Sequence, residues 1–442
     1  MANRRVAPPR LLAALAGLLL LTFGLRVAGL ETQSIWVDEG FSIDFSSRTA
    51  SDMLAMWKGR GGVAAITDMQ AAQAASDPLA IAVDIHPPLY YLILHEWLPL
   101  AGRGEYAVRF PSVIVGTLLV LLLYTLGAGL VGRGVGLAAA GVGGIAPFYI
   151  AYSQEARMYA PVALLGGFSL YFCWRTMATS RQASGIRRQW FIWLGLVVSS
   201  SLALYTHYSA VLVIGAENAL VAVALLAEVA RRRPWARLLI AWASSQLVEL
   251  ALFFPWLRTT IGQVAKYNEN LWVPNWQHEL TETFRAFDAG LWLPSDESLR
   301  LAMAVSVILL AGLAAAGWLW RSSVRRAMPP LPLMAGAAPA AEAIAAPLVA
   351  RAPRPLRQPA PRSRFGRGLL FGAGALLLQT AVALAAFQVR PEFHPRYLMV
   401  LATPYYLLLG LALAALWRRW RPAGLLAGAG LAAIFAVGLR GY

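Results

Sequence analysis

The chain has 442 residues, of which 58% are hydrophobic, and a mean hydropathy of +0.57, values that exclude an ordinary water-soluble domain. Its formal charge of +16 lies in short basic clusters between apolar runs, which is the pattern of membrane topology and excludes nucleic acid as a partner. The only cysteine, Cys173, falls inside an apolar run, so no intrachain disulfide forms.

In lipid every backbone polar group must be satisfied internally, and these runs are too long and continuous for barrel strands. The expected fold class is therefore all-α, a polytopic membrane protein. Spans of about 20 residues fit roughly residues 11–30, 108–131, 134–151, 157–175, 190–206, 208–230, 237–257, 299–320, 368–389, 397–416 and 422–440. The first run follows a basic start and resembles a signal peptide, but it has no clear small-residue cleavage site and reads as an uncleaved span. Immediately after it come Trp36-Val37-Asp38-Glu39-Gly40, two adjacent acids at the edge of hydrocarbon, where ionised groups are costly.

The loop 31–107 contains His86-Pro87-Pro88-Leu89-Tyr90-Tyr91 and the stretch through Trp97, which is short and carries His95 and Glu96. It is expected as a helix lying in the interface, and residues 48–78 as further interfacial helix. Basic clusters fall at every second boundary: Arg4/Arg5/Arg10, Arg133, Arg175 to Arg188, Arg231 to Arg237, Arg321 to Arg326 and Arg418 to Arg421. Placing them all in the cytoplasm gives an odd number of crossings, about 11, with the N-terminus cytoplasmic. Tyr152 to Tyr159, Thr206-His207-Tyr208, the loop 258–298 with Lys266 and Tyr267, and Arg390 to Tyr397 then share the extracytoplasmic side with Asp38 and Glu39. Three parts are expected. Residues 1–320 form a catalytic transmembrane module and 321–367 an Ala/Pro/Arg-rich cytoplasmic linker. Residues 368–442 are helices completing the bundle.

Two acidic sites with Arg and His near an apolar boundary suit an amphiphilic substrate, and a polyprenyl-phosphate sugar fits. A carboxylate deprotonates the acceptor hydroxyl as it attacks C1, and Arg stabilises the departing phosphate. The candidate catalytic residues are Asp38, Glu39 and Glu155; the candidate substrate-binding residues are His86, Arg157, Tyr159, His207, Arg396 and Tyr397. Against these readings stand bland ones. Glu155 and Arg157 form a local ion pair, His86 caps a helix, His207 is an interfacial histidine and Arg396 a snorkelling anchor.

Asp38-Glu39, His86-Pro87-Pro88-Leu89-Tyr90-Tyr91, Arg109-Phe110-Pro111-Ser112, Ser153 to Tyr159 and Pro395-Arg396-Tyr397 occur in an order that resembles the GT-C glycosyltransferases. The type is that of the dolichyl-phosphate-mannose protein mannosyltransferases, with bacterial relatives such as the lipid A aminoarabinose transferases. The resemblance is dense over residues 10–260 and returns at 390–410. It implies transfer from a polyprenyl-phosphate sugar, usually with inversion, on the outer face of a bacterial inner membrane. By the resemblance the catalytic acid maps onto Asp38, with Glu39 beside it, and a second acid onto Glu155. The large extramembrane C-terminal domain of some relatives is not found in this sequence, which leaves the envelope acceptor (lipid, glycan or protein) open; a divalent metal is left open too. The competing class is a transporter or flippase of a lipid-linked sugar. It calls for charges near the bilayer midplane in broken helices, whereas these clusters lie at helix ends. A ligase or polymerase moving a whole glycan differs only in its donor.

Overall fold

The computed structural model describes residues 8–55, 86–180, 186–266, 275–327, 363–389 and 394–441. The chain opens with α1 (Pro9–Val27), then the short α2 (Val37–Ser46) and α3 (Ala50–Ala55). After α4 (Leu89–Ala101) comes the long α5 (Glu105–Leu130). α6 (Arg133–Ile145) and α7 (Pro147–Ser153) meet at a 61° bend. Then follow α8 (Tyr159–Thr179), α9 (Ile186–Thr206), α10 (Ala210–Ala230), α11 (Ala236–Lys266) and the surface helix α12 (Trp276–Ala289). The bundle closes with α13 (Ser295–Ala327), α14 (Ser363–Val389), α15 (Met399–Arg419) and α16 (Arg421–Gly438).

Each expected span is helical. Among the described residues nine helices are long and apolar enough to cross a membrane, or ten if α6 and α7 form one broken span. The expected eleventh, α8, falls outside that set because Tyr159, Pro161, Trp174 and Arg175 lower its apolarity. It does not need a lipid-facing surface: α8 is packed among α5, α9, α10 and α15.

The core is built around α15, which touches α5, α6, α8, α13, α14 and α16 and is almost wholly buried. Small residues let the backbones close in. A methyl group added at Gly127 or Gly136 would strike the facing backbone of α6 or α5, and one at Gly410 would strike Ala139. Large apolar side chains point the other way. Leu20, Leu226, Leu247, Phe254, Leu310, Leu377 and Leu426 are all more than half exposed, on six different helices. Such a belt is tolerable only in contact with lipid tails.

At one end of the bundle Arg418 stacks on Phe365 at 4.9 Å and Arg419 on Trp318 at 4.5 Å, joining the basic end of α15 to α13 and α14. The opposite end carries α2, α4 and α12. α4 has 13 residues and so spans about 20 Å, too short for a hydrocarbon core of about 30 Å. It is pinned sideways: Tyr91 meets Phe45 of α2 at 5.1 Å, His95 Nδ1 lies 2.9 Å from the Ser46 carbonyl, and Trp97 donates to the Ala107 carbonyl at 2.7 Å. The expected short surface helix is therefore present. Of the further helix expected over 48–78, α3 is described; residues 56–78 lie outside the described residues, as do Tyr267, Trp272 and 390–393. α13 runs to Ala327 and α14 starts at Ser363, so both ends of the expected linker are helical. Its middle, 328–362, is outside the described residues.

α12 is held as firmly as a span. Asn275 accepts from the His278 backbone N–H at its start, and Gly290, at φ 79°, ends it with a left-handed residue. The Tyr405 hydroxyl donates to Asp288 Oδ1 at 2.5 Å, and Tyr406 to the Phe287 carbonyl at 2.8 Å. Asp288 is fully buried, and burial pushes its carboxyl well above the usual range.

Candidate active site

The adjacent acids of the first loop have different fates. Both lie in the first turn of α2, where backbone N–H groups favour negative charge. Glu39 is fully buried. Arg109 of α5 grips it with both arms, Nε to Oε1 at 2.8 Å and Nη2 to Oε2 at 2.6 Å. Glu39 Oε1 also accepts from the Ala156 N–H at 2.8 Å, and Oε2 from the Trp36 N–H at 3.4 Å. The rest of the Arg109 guanidinium donates to the carbonyls of Leu30, Gln33 and Ser34 at 2.8, 2.8 and 3.1 Å. Four chain segments are thus tied to one buried ion pair. Both Glu39 oxygens are committed to it.

Asp38 points elsewhere. Its carboxylate is about a quarter exposed and pairs with Arg396 Nη1 at 3.0 Å, across 358 residues of chain. Its backbone carbonyl accepts from Arg157 Nη1 at 3.1 Å, and Arg157 also donates to Ser42 Oγ at 2.9 Å. Arg157 is therefore turned to α2. On a helix Glu155 and Arg157, two residues apart, would not share a face, but the segment 154–158 is non-helical and leaves both able to serve one site.

That segment is positioned from below by Arg26, buried in the last turns of α1. The break between α6 and α7 frees carbonyls that a continuous helix would use. Arg26 donates to two of them, Gly144 at 3.0 Å and Gly143 at 3.3 Å, and to Ser153 Oγ at 3.1 Å. Gln154 returns the link, donating to the carbonyls of Arg26 and Ala28 at 2.9 and 2.7 Å. Glu155 comes next. Its Oε2 is buried and has no hydrogen-bond partner among the described residues. Burial and then the charge of Glu39 push its carboxyl up to about 8, against the opposing pull of Arg396 and Arg157. At neutral pH it is chiefly a carboxylic acid and can donate a proton in a hydrogen bond.

All six candidate binding residues lie in one aromatic and cationic cluster. His86 stacks on His207 at 4.9 Å and His207 on Tyr397 at 5.9 Å; Tyr159 meets His207 edge-on at 5.7 Å. Arg396 lies over Trp36, Tyr159 and Tyr397 at 5.4, 5.7 and 5.4 Å, and Arg157 over Tyr159 at 5.9 Å. The adjoining His394 is held down to about 4 by burial and the Arg396 charge, so its ring is neutral; its Nδ1 accepts from the Arg396 N–H at 3.2 Å.

Two openings flank this cluster. One is a polar cavity of about 460 Å³ whose walls include Trp36, Glu39, Gln154, Glu155, Arg285, Trp292 and Arg396. The other is an apolar groove of about 180 Å³ along α10 and α14, running from His86 and His207 past Tyr397 to Leu212 and Phe387. Arg396 and Tyr397, consecutive in sequence, line opposite openings. A polar chamber beside an apolar groove, with a cation at their boundary, suits an amphiphile with a charged joint.

Two residues outside the sequence-derived site set organise it. Arg109 is visible in the sequence only as part of Arg109-Phe110-Pro111-Ser112, and Arg26 only as one basic residue near the end of a span. An arginine close to the acid-bearing end of an apolar run is the available signal in both cases. Among the described residues no group of three or more His, Cys, Asp or Glu side chains is placed to hold a metal ion.

A family profile described as "Dolichyl-phosphate-mannose-protein mannosyltransferase" matches residues 85–258. No curated protein matches in sequence. Among solved structures, ArnT from Cupriavidus metallidurans in the apo state aligns with a TM-score of 0.55 at 13% identity, covering 97% of this chain and 76% of ArnT. The fold is that of the GT-C glycosyltransferases. ArnT bound to undecaprenyl phosphate aligns with a TM-score of 0.53 at 14% identity over 98% of this chain and 77% of ArnT. AglB, the oligosaccharyltransferase from Archaeoglobus fulgidus, in complex with an inhibitory peptide and a dolichol-phosphate, aligns at 0.52 and 13% identity, over 98% of this chain and 56% of AglB. At these identities the GT-C likeness concerns the fold, and the chemistry rests on the residues above.

Proposed function

We propose that this chain is an integral membrane glycosyltransferase that moves a sugar from a polyprenyl-phosphate donor to an acceptor in the cell envelope. The observation that carries the reading is the Asp38–Arg396 pair, whose Arg396 lines the polar cavity while the next residue, Tyr397, lines the apolar groove. The prenyl chain lies in the groove beside α10 and α14, the phosphate meets Arg396, and the sugar enters the cavity. The undecaprenyl phosphate and dolichol-phosphate named in the ArnT and AglB complexes have this same division into an apolar tail and a phosphate.

The reaction follows from the groups present. The acceptor hydroxyl attacks C1 of the sugar while its proton passes to an Asp38 oxygen. The bond from C1 to the phosphate oxygen breaks with inversion, and the electron pair leaves with the polyprenyl phosphate. Arg396 supplies charge-assisted hydrogen bonds to that leaving group, where negative charge develops. The arriving phosphate also competes with Asp38 for Arg396, which releases the base when the donor is seated. Glu155, protonated near neutrality, donates to a phosphate or sugar oxygen without adding a second negative charge. Glu39 serves as a positioning residue, since its oxygens already accept from Arg109, Ala156 and Trp36. Arg157 fixes the Asp38 backbone, while Tyr159, His86, His207 and Tyr397 form the wall between the two openings.

With the basic ends of α13, α14 and α15 in the cytoplasm, the site faces the extracytoplasmic side of a bacterial inner membrane. The decisive experiment is transfer from purified donor by the Asp38→Asn protein. We expect loss of about 10²–10⁴-fold in rate, the contribution typical of a placed base, with insertion and folding intact. A fully active Asp38→Asn enzyme sinks the assignment.

A further inference from the structure

The cavity has a wall that the transfer chemistry leaves unused. One side carries Glu155, His394 and Arg396; the other is made by α12 and the turn after it, with Glu282, Arg285, Leu291 and Trp292. We propose that this second wall is the acceptor subsite and that it takes an uncharged sugar ring, so that the acceptor is a saccharide. The inference rests on the glycosyltransferase reading above.

Three observations carry it. First, Glu282 and Arg285, one helical turn apart, are joined by an ion pair at 2.5 Å, with each side chain about one-fifth exposed. Their charges compensate, so the pair presents hydrogen-bond donors and acceptors with no net charge. Hydroxyl groups, which donate and accept, match this better than an anionic group does. Second, Trp292 is 53% exposed and Trp36 38% exposed, and they stand on separate segments of the cavity lining. A flat aromatic face with polar groups around it offers the apolar C–H face of a pyranose a stacking surface and its hydroxyls partners; Gln33 and Ser34 add to those partners. Third, the wall is rigid. Asp288 and Phe287 tie α12 to Tyr405 and Tyr406, and Gly290 sits against Pro147 and the Gly438 carbonyl. A preformed wall loses little freedom on binding a small, stiff ligand. An extended peptide instead looks for a row of unpaired backbone groups, and the described part of this wall is helix and turn with side chains facing inward.

The test uses the full-length protein in nanodiscs and saturation-transfer difference NMR. The probes are lipid-free oligosaccharides released by mild acid from the envelope of the source organism, the intact glycolipids of that envelope, and a Ser/Thr-rich peptide. Binding of undecaprenyl phosphate is measured in parallel as the readout of the donor site. We expect saccharide signals that weaken about tenfold in Trp292→Ala and largely return in Trp292→Phe, with undecaprenyl phosphate affinity unchanged in both. Signals from the free oligosaccharide place recognition in the glycan alone; signals from the glycolipid only extend it to a lipid-borne glycan, and either supports the subsite. Peptide binding that depends on Trp292, or saccharide binding indifferent to both Trp292→Ala and Arg285→Gln, overturns it. If undecaprenyl phosphate binds and no saccharide does, the subsite alone fails; if undecaprenyl phosphate also fails to bind, the donor reading fails with it.

Discussion

Replacing Glu39 by Gln should damage this protein far more than a one-atom change suggests. Glu39 and Arg109 are 0% and 3% exposed and joined by two hydrogen bonds of 2.8 and 2.6 Å. Removing one charge from such a pair leaves the other uncompensated in a medium of low dielectric constant, which costs about 3–5 kcal/mol. Arg109→Met should cost more. It strands the carbonyls of Leu30, Gln33 and Ser34 as well, and each buried orphan costs about 1–3 kcal/mol. The double variant should be less harmful than the two singles added together, with a coupling energy toward the upper part of about 0.5–3 kcal/mol. Reversible unfolding of the four proteins in mixed micelles, titrated with SDS, measures the cycle. Because Glu39 shares a helical turn with Asp38 and also holds Ala156, transfer activity should fall with stability. A Glu39→Gln protein within about 1 kcal/mol of wild type and fully active would refute the view that this tie assembles the site.

Other outcomes follow from the same geometry. Asp38→Asn should leave stability almost unchanged, within about 1 kcal/mol, because its partly exposed pair with Arg396 is screened; thermal melting beside the activity assay checks this. Arg396→Lys keeps the charge but loses the planar fork stacked over Trp36, Tyr159 and Tyr397, and should raise KM for the donor. The Glu155 carboxyl is raised from 4.5 to about 8, so folding takes up a proton between those values. The stabilisation it gives is complete below pH 4.5 and is lost as pH rises through about 8. Glu155→Gln should flatten that part of the stability–pH curve; an unchanged curve would show that another group titrates there. Arg26→Met should destabilise the α6–α7 break by exposing the Gly143 and Gly144 carbonyls to an apolar interior, and hydrogen exchange at 146–158 should rise.

Much of this architecture is legible without coordinates because hydrocarbon imposes a simple rule. Long apolar runs must be helices, and basic clusters mark alternate ends; the helices found at 105–130, 210–230 and 399–419 follow directly. α8 is legible as a helix but not as an interior one, since burial among α5, α9, α10 and α15 depends on segments far away in the chain. That the candidate residues gather in one place was legible for a related reason. Acid, His and Arg are costly at a membrane boundary, so His86, Glu155, Arg157, His207 and Arg396 stand out by residue type alone.

Sequence by itself determined the helical class, the positions of the spans and the end of the bundle to which chemistry-bearing residues are brought, because each depends on local apolarity and charge. Only the tertiary structure decided what the neighbouring acids do. Asp38 and Glu39 are equivalent as letters, yet successive residues on a helix point about 100° apart. That angle turns Glu39 into the grip of Arg109 and Asp38 toward Arg396, and both arginines come from distant segments whose packing no local pattern encodes.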